Sequence, residues 1–136
     1  MMNVIMIEWA VRLAGVVLLL IAVANIFAPK KLNWVSNLAK TEPFFQQVFI
    51  VHAVYIVGVL IFAALTCLMA TDELIAQESF MAKSFCVFFA LFWGARVVLQ
   101  FTYYDRGFIK QNLVWSLVFG VAFAYLAGVF LLVIIR

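Results

Sequence analysis

Charged residues are scarce in this sequence. They make up 11% of its 136 residues, whereas 69% are hydrophobic, and a soluble domain carries roughly 25% charged residues. A soluble fold of this size would leave about 30% of its chain surface in water, so it could not hide so large an apolar fraction. The shortage of charge therefore argues against a soluble fold and predicts a single domain with lipid as its solvent.

Other common patterns are missing as well. Cys67 and Cys86 both lie in apolar runs and form no CxxC or Cys/His motif, so we expect small buried side chains and no metal site. The cationic residues form no basic run, which argues against a nucleic acid partner. The N-terminus lacks the basic segment of a signal peptide, and its apolar run continues too far for one, so we expect a helix of the mature protein.

Four apolar stretches are each long enough to cross a bilayer, which requires about 20 residues per helix. They predict an all-α fold, an antiparallel bundle of four membrane helices over residues 7–28, 44–70, 80–104 and 113–135. Pro29 is expected to end the first helix. In the loop that follows, Leu32, Val35 and Leu38 recur at helical spacing around Trp34, which predicts a short helix lying in the membrane interface.

The remaining connections are short. Residues 71–79 form an acidic loop in this interpretation, and residues 105–107 form a tight turn. Glu8 and Arg12 are spaced i, i+4 near the outer end of the first helix, so we expect them to form an ion pair.

Polar side chains inside the predicted spans require a reason, because placing them in lipid is costly. Five of them form the candidate ligand-binding site: His52, Tyr55, Trp93, Arg96 and Gln100. The last three share one face of the third helix at i, i+3, i+7 spacing. His52 and Arg96 each lie about 12 Å from the helix end beside the basic loops, so they would share one level if the second and third helices are neighbours.

Arg96 has no carboxylate at its depth, and two interpretations of the site follow from this. The first is a network of interhelical hydrogen bonds that fixes packing. The second is a pocket for a quinone, a lipid or another anionic or carbonyl-bearing amphiphile. Haem is not expected, because haem b carriers usually need two axial ligands and the chain has one histidine. The spans offer no buried carboxylate for acid–base catalysis, so we expect no enzyme and assign no catalytic residue.

The fourth helix carries a ridge of small residues. They recur at every fourth position and are Ser116, Gly120, Ala124 and Gly128. Small residues at this spacing allow helices to approach closely. Packing within the bundle and contact with another chain are equally compatible with the pattern.

Two segments, QQVFIVHAVY (46–55) and FWGARVVLQFTYYD (92–105), resemble small uncharacterised bacterial membrane proteins. Those proteins have four helices, a histidine in the second and a Trp-x-x-Arg-x-x-x-Gln run in the third. The hydropathy layout of nearly the whole chain is similar to theirs, and more loosely to the DoxX-like families. The layout is also similar to that of four-helix sterol isomerases, whose intramembrane acids are missing here. The resemblance implies a multi-pass protein of the bacterial inner membrane and supplies no established activity.

Two classes of function are compatible with these features. The first is an accessory or scaffold subunit of a larger membrane assembly, whose partners are the lipid bilayer and other membrane subunits or further copies of itself. The second is a binding protein for a quinone or a lipid head group, with the five polar residues as its site. The sequence names neither the ligand nor the partner.

Lysine and arginine are distributed unevenly between the two sides of the predicted bundle. The first and third loops hold five of them, Lys30, Lys31, Lys40, Arg106 and Lys110, and the opposite side holds Arg12, Lys83 and Arg136. Cationic loops tend to stay in the cytoplasm. The bias therefore predicts that the first and third loops are cytoplasmic and that both termini are outside.

Labelling of a cysteine introduced at Asn37 in intact cells tests this orientation. We expect Asn37→Cys to be protected from an impermeant thiol reagent, because the first loop would lie behind the membrane. Ready labelling without permeabilisation would reverse the assignment.

Overall fold

The computed structural model describes residues 3–136, which form seven helices and no strand. The helices are α1 (Val4–Lys31), α2 (Trp34–Leu38), α3 (Pro43–Met69), α4 (Thr71–Ala76), α5 (Phe80–Thr102), α6 (Arg106–Gln111) and α7 (Leu113–Ile135). The helices α1, α3, α5 and α7 are long and apolar enough to cross a membrane. The predicted all-α bundle of four membrane helices is therefore confirmed.

The first span is longer than predicted, because α1 continues through Pro29 to Lys31. A proline has no backbone N–H to donate, but the N–H groups of the residues after it can still form helical hydrogen bonds. The Leu32 amide, which follows the proline, still donates to the carbonyl of Ala28, which precedes it, at 2.9 Å. Proline in a last turn therefore does not end this helix.

Two predicted loops are helical. Residues 105–107 do not form the tight turn that was expected, because the Asp105 carboxylate accepts a hydrogen bond from the Phe108 amide at 2.8 Å and so caps the start of α6. The acidic stretch after α3 forms α4, which packs on α1 and buries Leu74 and Ile75. The short helix predicted in the first loop is present as α2, and its Trp34 ring meets Phe49 of α3 edge-on at 4.8 Å.

The four spans pack as two pairs. α1 lies against α3, α5 lies against α7, and the pairs join through α1 and α7. Gly15 allows the first contact, because a Cβ atom at this position would lie 2.8 Å from Leu68 Cγ and 3.1 Å from the Ala64 carbonyl oxygen. The Tyr125 hydroxyl of α7 donates to the Ala10 carbonyl of α1 at 2.8 Å, which ties the two pairs together.

The core is concentrated toward the end of the bundle that carries α4. The buried residues of α1 lie between Ile7 and Ala22, and those of α3 lie between Leu60 and Cys67. We call this end the closed half. The other end, which carries α2 and α6, is the open half, because the last turns of α1 and the first half of α3 contribute no buried residue there.

The predicted Glu8–Arg12 ion pair belongs to the closed half and is confirmed. Arg12 Nη2 lies 3.0 Å from Glu8 Oε1. Arg12 Nη1 also donates to the Leu68 carbonyl at 3.4 Å, which is one of the last carbonyls of α3 and has no partner within its own helix. This arginine therefore links α1 to the end of α3.

Large apolar side chains face outward on all four spans. Trp9 is 68% exposed, Phe62 63% and Val121 70%. Contiguous apolar surface of this extent is rare on soluble monomers, and hydrocarbon is the solvent that suits it. The outer surface therefore agrees with the apolar composition from which a membrane location was predicted.

The ridge of small residues on α7 is divided between two environments. Ser116 and Gly120 are buried, whereas Ala124 and Gly128 are exposed. A spacing of four residues overshoots one helical turn, so twelve residues carry the ridge about 120° around the helix. Only the first half of the ridge therefore packs within the described bundle, and its second half is open to lipid or to another chain.

Two matched substitutions distinguish the halves of the ridge. A Cβ atom at Gly120 would lie 3.0 Å from the Phe101 ring, whereas one at Gly128 would meet no atom within 4 Å. We expect Gly120→Leu to destabilise the protein by roughly 1–3 kcal/mol through overpacking, as measured by thermal unfolding in detergent. Gly128→Leu should leave the stability of the monomer unchanged. Equal effects of the two substitutions would contradict this division of the ridge.

Candidate functional site

Three of the five predicted site residues meet in the contact between α5 and α7. Trp93 and Gln100 of α5 are 2% and 7% exposed, Arg96 between them is half-buried, and Ser116 of α7 is 7% exposed. We call these four residues the polar seam. Their spacing on α5 places them on the face that packs against α7, because residues three and four apart lie on one side of a helix.

The polar seam contains a directed chain of hydrogen bonds. Arg96 Nη1 donates to Gln100 Oε1 at 3.1 Å, and Gln100 Nε2 donates to the Ser116 hydroxyl oxygen at 3.3 Å. An arginine side chain can only donate, so the amide oxygen of Gln100 must face Arg96 and its amino group must face Ser116. The amide of Gln100 therefore connects the charge on α5 to α7.

Aromatic rings supply the rest of the environment of Arg96. The guanidinium carbon lies 4.7 Å from the centroid of the Phe123 ring and 4.9 Å from that of Tyr104. The negative faces of such rings stabilise a cation, by about 2 kcal/mol or more when it is desolvated. The one ion pair of residues 3–136 is Glu8–Arg12, so Arg96 is held by a neutral amide and two rings.

Donors remain available in the polar seam. A guanidinium carries five N–H donors. Among residues 3–136, the Arg96 side chain forms a hydrogen bond only with Gln100 Oε1, so most of its donors are unused. The Trp93 ring stacks on Phe123 with centroids 5.3 Å apart, and its buried Nε1 has no hydrogen-bond partner among the described residues. Both side chains could therefore donate to an oxygen atom of a ligand.

The structure places the other two predicted site residues elsewhere. His52 and Tyr55 lie on α3 in the open half, where both are exposed, and Tyr55 is 71% exposed. Because α3 packs on α1 and α5 packs on α7, matching depth does not bring His52 to Arg96. Among the described residues, no hydrogen bond joins His52 or Tyr55 to the polar seam, which agrees with this separation.

The ring of His52 has a defined orientation. Its Nδ1 lies 2.7 Å from the Val48 carbonyl oxygen. A carbonyl can only accept, so Nδ1 must carry the proton in this contact. In the neutral ring Nε2 is then an acceptor, and it is left available to a group outside α3.

Cys67 and Cys86 lie outside the polar seam. Among residues 3–136 no group of three His, Cys, Asp or Glu side chains could hold a metal ion. Cys67 and Cys86 are buried free thiols in the closed half, and Gln77 Nε2 lies 3.3 Å from Cys86 Sγ.

Two residues at the polar seam, Ser116 and Phe123, were not predicted as part of the site. Ser116 was assigned to packing alone, although a hydroxyl within an apolar helix could have been recognised as a hydrogen-bonding group. Phe123 carries no signal that separates it from the other phenylalanines of the chain. Only the pairing of α5 with α7 shows that its ring lies under Arg96 and against Trp93.

The fold defines the class of the protein as an integral membrane protein that crosses the bilayer several times. Comparison of the chain with family models, with curated proteins and with solved structures finds no match. The resemblance to small bacterial four-helix membrane proteins therefore stays a prediction.

Proposed function

We propose that this protein is a non-enzymatic accessory or scaffold subunit of a larger membrane assembly, and that it binds its partner through α3. The observation that carries this proposal is the outward position of His52 and Tyr55 within a membrane span. The charge bias and the resemblance described above support a place in the bacterial inner membrane with both termini outside. The surface in question, the outer α3 face, consists of His52, Tyr55, Ile56 and Val59.

The depth of these side chains is what makes them unusual. α3 has 27 residues and is therefore about 40 Å long, so Tyr55 lies near its midpoint and His52 about one turn away. Lipid tails offer no hydrogen-bonding group at this depth. An exposed ring nitrogen and an exposed phenol are costly there, and a polar group on a neighbouring protein chain would remove that cost.

The two side chains also indicate what the partner offers. His52 Nε2 accepts when Nδ1 donates to Val48, and the Tyr55 hydroxyl can both donate and accept. Ile56 and Val59 beside them are 50% and 45% exposed and provide apolar contact. The partner is therefore a transmembrane helix that carries a hydrogen-bond donor opposite His52 within an apolar surface.

Native extraction of the tagged protein, followed by mass spectrometry of the chains that accompany it, tests this proposal. We expect a partner to co-purify with the parent, and His52→Leu combined with Tyr55→Phe to reduce its yield about tenfold. Each hydrogen bond between membrane helices contributes about 0.6–2 kcal/mol, and 1.4 kcal/mol corresponds to a factor of ten.

The matched control is Thr102→Val combined with Tyr103→Phe, which removes two exposed hydroxyls from the last residue of α5 and the residue that follows it. This control should keep its partner. If the parent purifies without any other chain, or if both double variants lose the partner equally, the proposed role of the outer α3 face is wrong. A second copy of the same chain as the partner would make the assembly homomeric.

A second candidate function is the binding of a quinone, a lipid or another amphiphile with an anionic or carbonyl group in the polar seam. The observation that favours it is the supply of unused donors on Arg96 and Trp93. A ligand oxygen would compensate a charge that no carboxylate of residues 3–136 pairs with. Gln100 would orient the guanidinium toward that ligand, whereas His52 and Tyr55 would have no part in this site.

Substitution of Arg96 tests the second candidate by native mass spectrometry of the small molecules that stay bound. We expect Arg96→Leu to fold and to lose the bound species, and Arg96→Lys to bind about tenfold more weakly, because lysine lacks the planar fork that grips two acceptors. Arg106→Leu removes an equal charge at the surface of α6 and should retain the species. If the Arg96→Leu variant retains the bound small molecule, Arg96 has a packing role only.

A further inference from the structure

We infer that a pocket between the end of α1 and the start of α7 binds the phosphate group of an anionic lipid. The pocket lies in the open half, apart from both the polar seam and the outer α3 face, and its assignment does not depend on the proposed function. It is an open depression of about 420 Å³ at the surface of the bundle. Lys31, Lys110, Gln111, Asn112 and Trp115 contribute to its lining.

Two lysines from different helices meet at this pocket. Lys31 belongs to the last turn of α1 and Lys110 to α6, and both side chains are exposed. The one ion pair of residues 3–136 lies at the opposite end of the bundle, so neither ammonium group is neutralised by a carboxylate of the described chain. Two unneutralised cations that line one surface depression are suited to an anion.

Trp115 holds one of these lysines in place. The Lys31 ammonium nitrogen lies 4.4 Å from the centroid of the Trp115 ring, in a cation–π contact that contributes about 0.5–1 kcal/mol at an exposed site. Tryptophan is also enriched at the level of lipid head groups. The contact therefore fixes a cation at the depth where lipid phosphates lie.

The charge of the whole bundle end supports the same ligand. The end that contains α2 and α6 carries five cationic residues against the two carboxylates Glu42 and Asp105. An anionic lipid surface attracts clustered lysine and arginine side chains, and basic pockets between membrane helices bind anionic head groups. A phosphate in the pocket would therefore gain from the local pair of lysines and from the field around it.

The surface below the pocket favours a lipid over free phosphate. Val114, Val118 and Val121 of α7 are 72%, 52% and 70% exposed, and they continue from the pocket toward the middle of the span. Acyl chains attached to a phosphate in the pocket could lie along this apolar surface. Free phosphate would gain nothing from it. Gln111 at the rim adds an amide that can bond to a hydroxyl of the head group.

A lipid titration of the purified protein tests the inference, with native mass spectrometry as the readout. The probes are phosphatidylglycerol, which has an anionic head group, and phosphatidylcholine, which has the same phosphate in a zwitterionic one. We expect the parent to prefer phosphatidylglycerol. Lys31→Gln combined with Lys110→Gln should weaken the binding of phosphatidylglycerol about tenfold or more and leave that of phosphatidylcholine nearly unchanged.

The matched control is Lys30→Gln combined with Lys40→Gln, which removes the same charge from the same end but outside the pocket. This control should keep most of the preference for phosphatidylglycerol. An equal loss of phosphatidylglycerol binding in both double variants would show diffuse surface attraction and overturn the site. A parent protein that does not prefer phosphatidylglycerol over phosphatidylcholine would overturn it too. If inorganic phosphate protects the parent against thermal unfolding and phosphatidylglycerol does not, the lipid assignment is wrong. Should the double variant not fold, Lys110→Gln against Lys40→Gln gives the same comparison.

Discussion

Hydrocarbon accepts and donates no hydrogen bonds, and this constraint decides where each polar group of a membrane span can lie. Several polar side chains here meet it within their own helix. Asn25, His52, Thr66 and Thr102 each bond to the carbonyl four residues earlier, at 2.7–2.9 Å. Arg96 cannot be satisfied in this way because a guanidinium has five donors and a full charge. Its own helix supplies the Gln100 amide four residues on, and the pairing of α5 with α7 adds the Phe123 ring.

The same constraint explains why the bundle is unequal at its two ends. In the closed half, polar groups bond across helices. Tyr125 bonds to α1, Arg12 bonds to Glu8 and to the end of α3, and Thr71 at the start of α4 donates to the Cys67 carbonyl at 2.6 Å. The buried parts of α1 and α3 coincide with these contacts. In the open half Gln100 bonds to Ser116 across α5 and α7, but the described residues of α1 and α3 form no such bond between helices there, and their side chains remain accessible.

The sequence predicts the spans well, because about 20 apolar residues in a row have few alternatives to a membrane helix. It also predicts the stripe of Trp93, Arg96 and Gln100, since spacing along one helix fixes their common face. It does not predict which helices are neighbours. α3 and α7 are apolar on nearly every side, so no face of either helix is marked as the inner one, and equal depth could not decide whether His52 meets Arg96. The capping of α6 by Asp105 was missed because aspartate, arginine and glycine in succession are equally typical of a turn.

Arg96, His52 and the two lysines of the pocket lie toward the same end of the bundle, and this location bears on where binding can occur. Arg96 lies six residues before the end of α5 at Thr102, which places it about 9 Å from that end. His52, Lys31 and Lys110 also belong to the open half. The closed half holds the buried residues of α1 and α3, so the packing between these two helices is concentrated there. A partner or lipid bound in the open half would reach the ammonium groups of Lys31 and Lys110, which pair with no carboxylate of residues 3–136, at the end of the bundle where α1 and α3 contribute no buried residue.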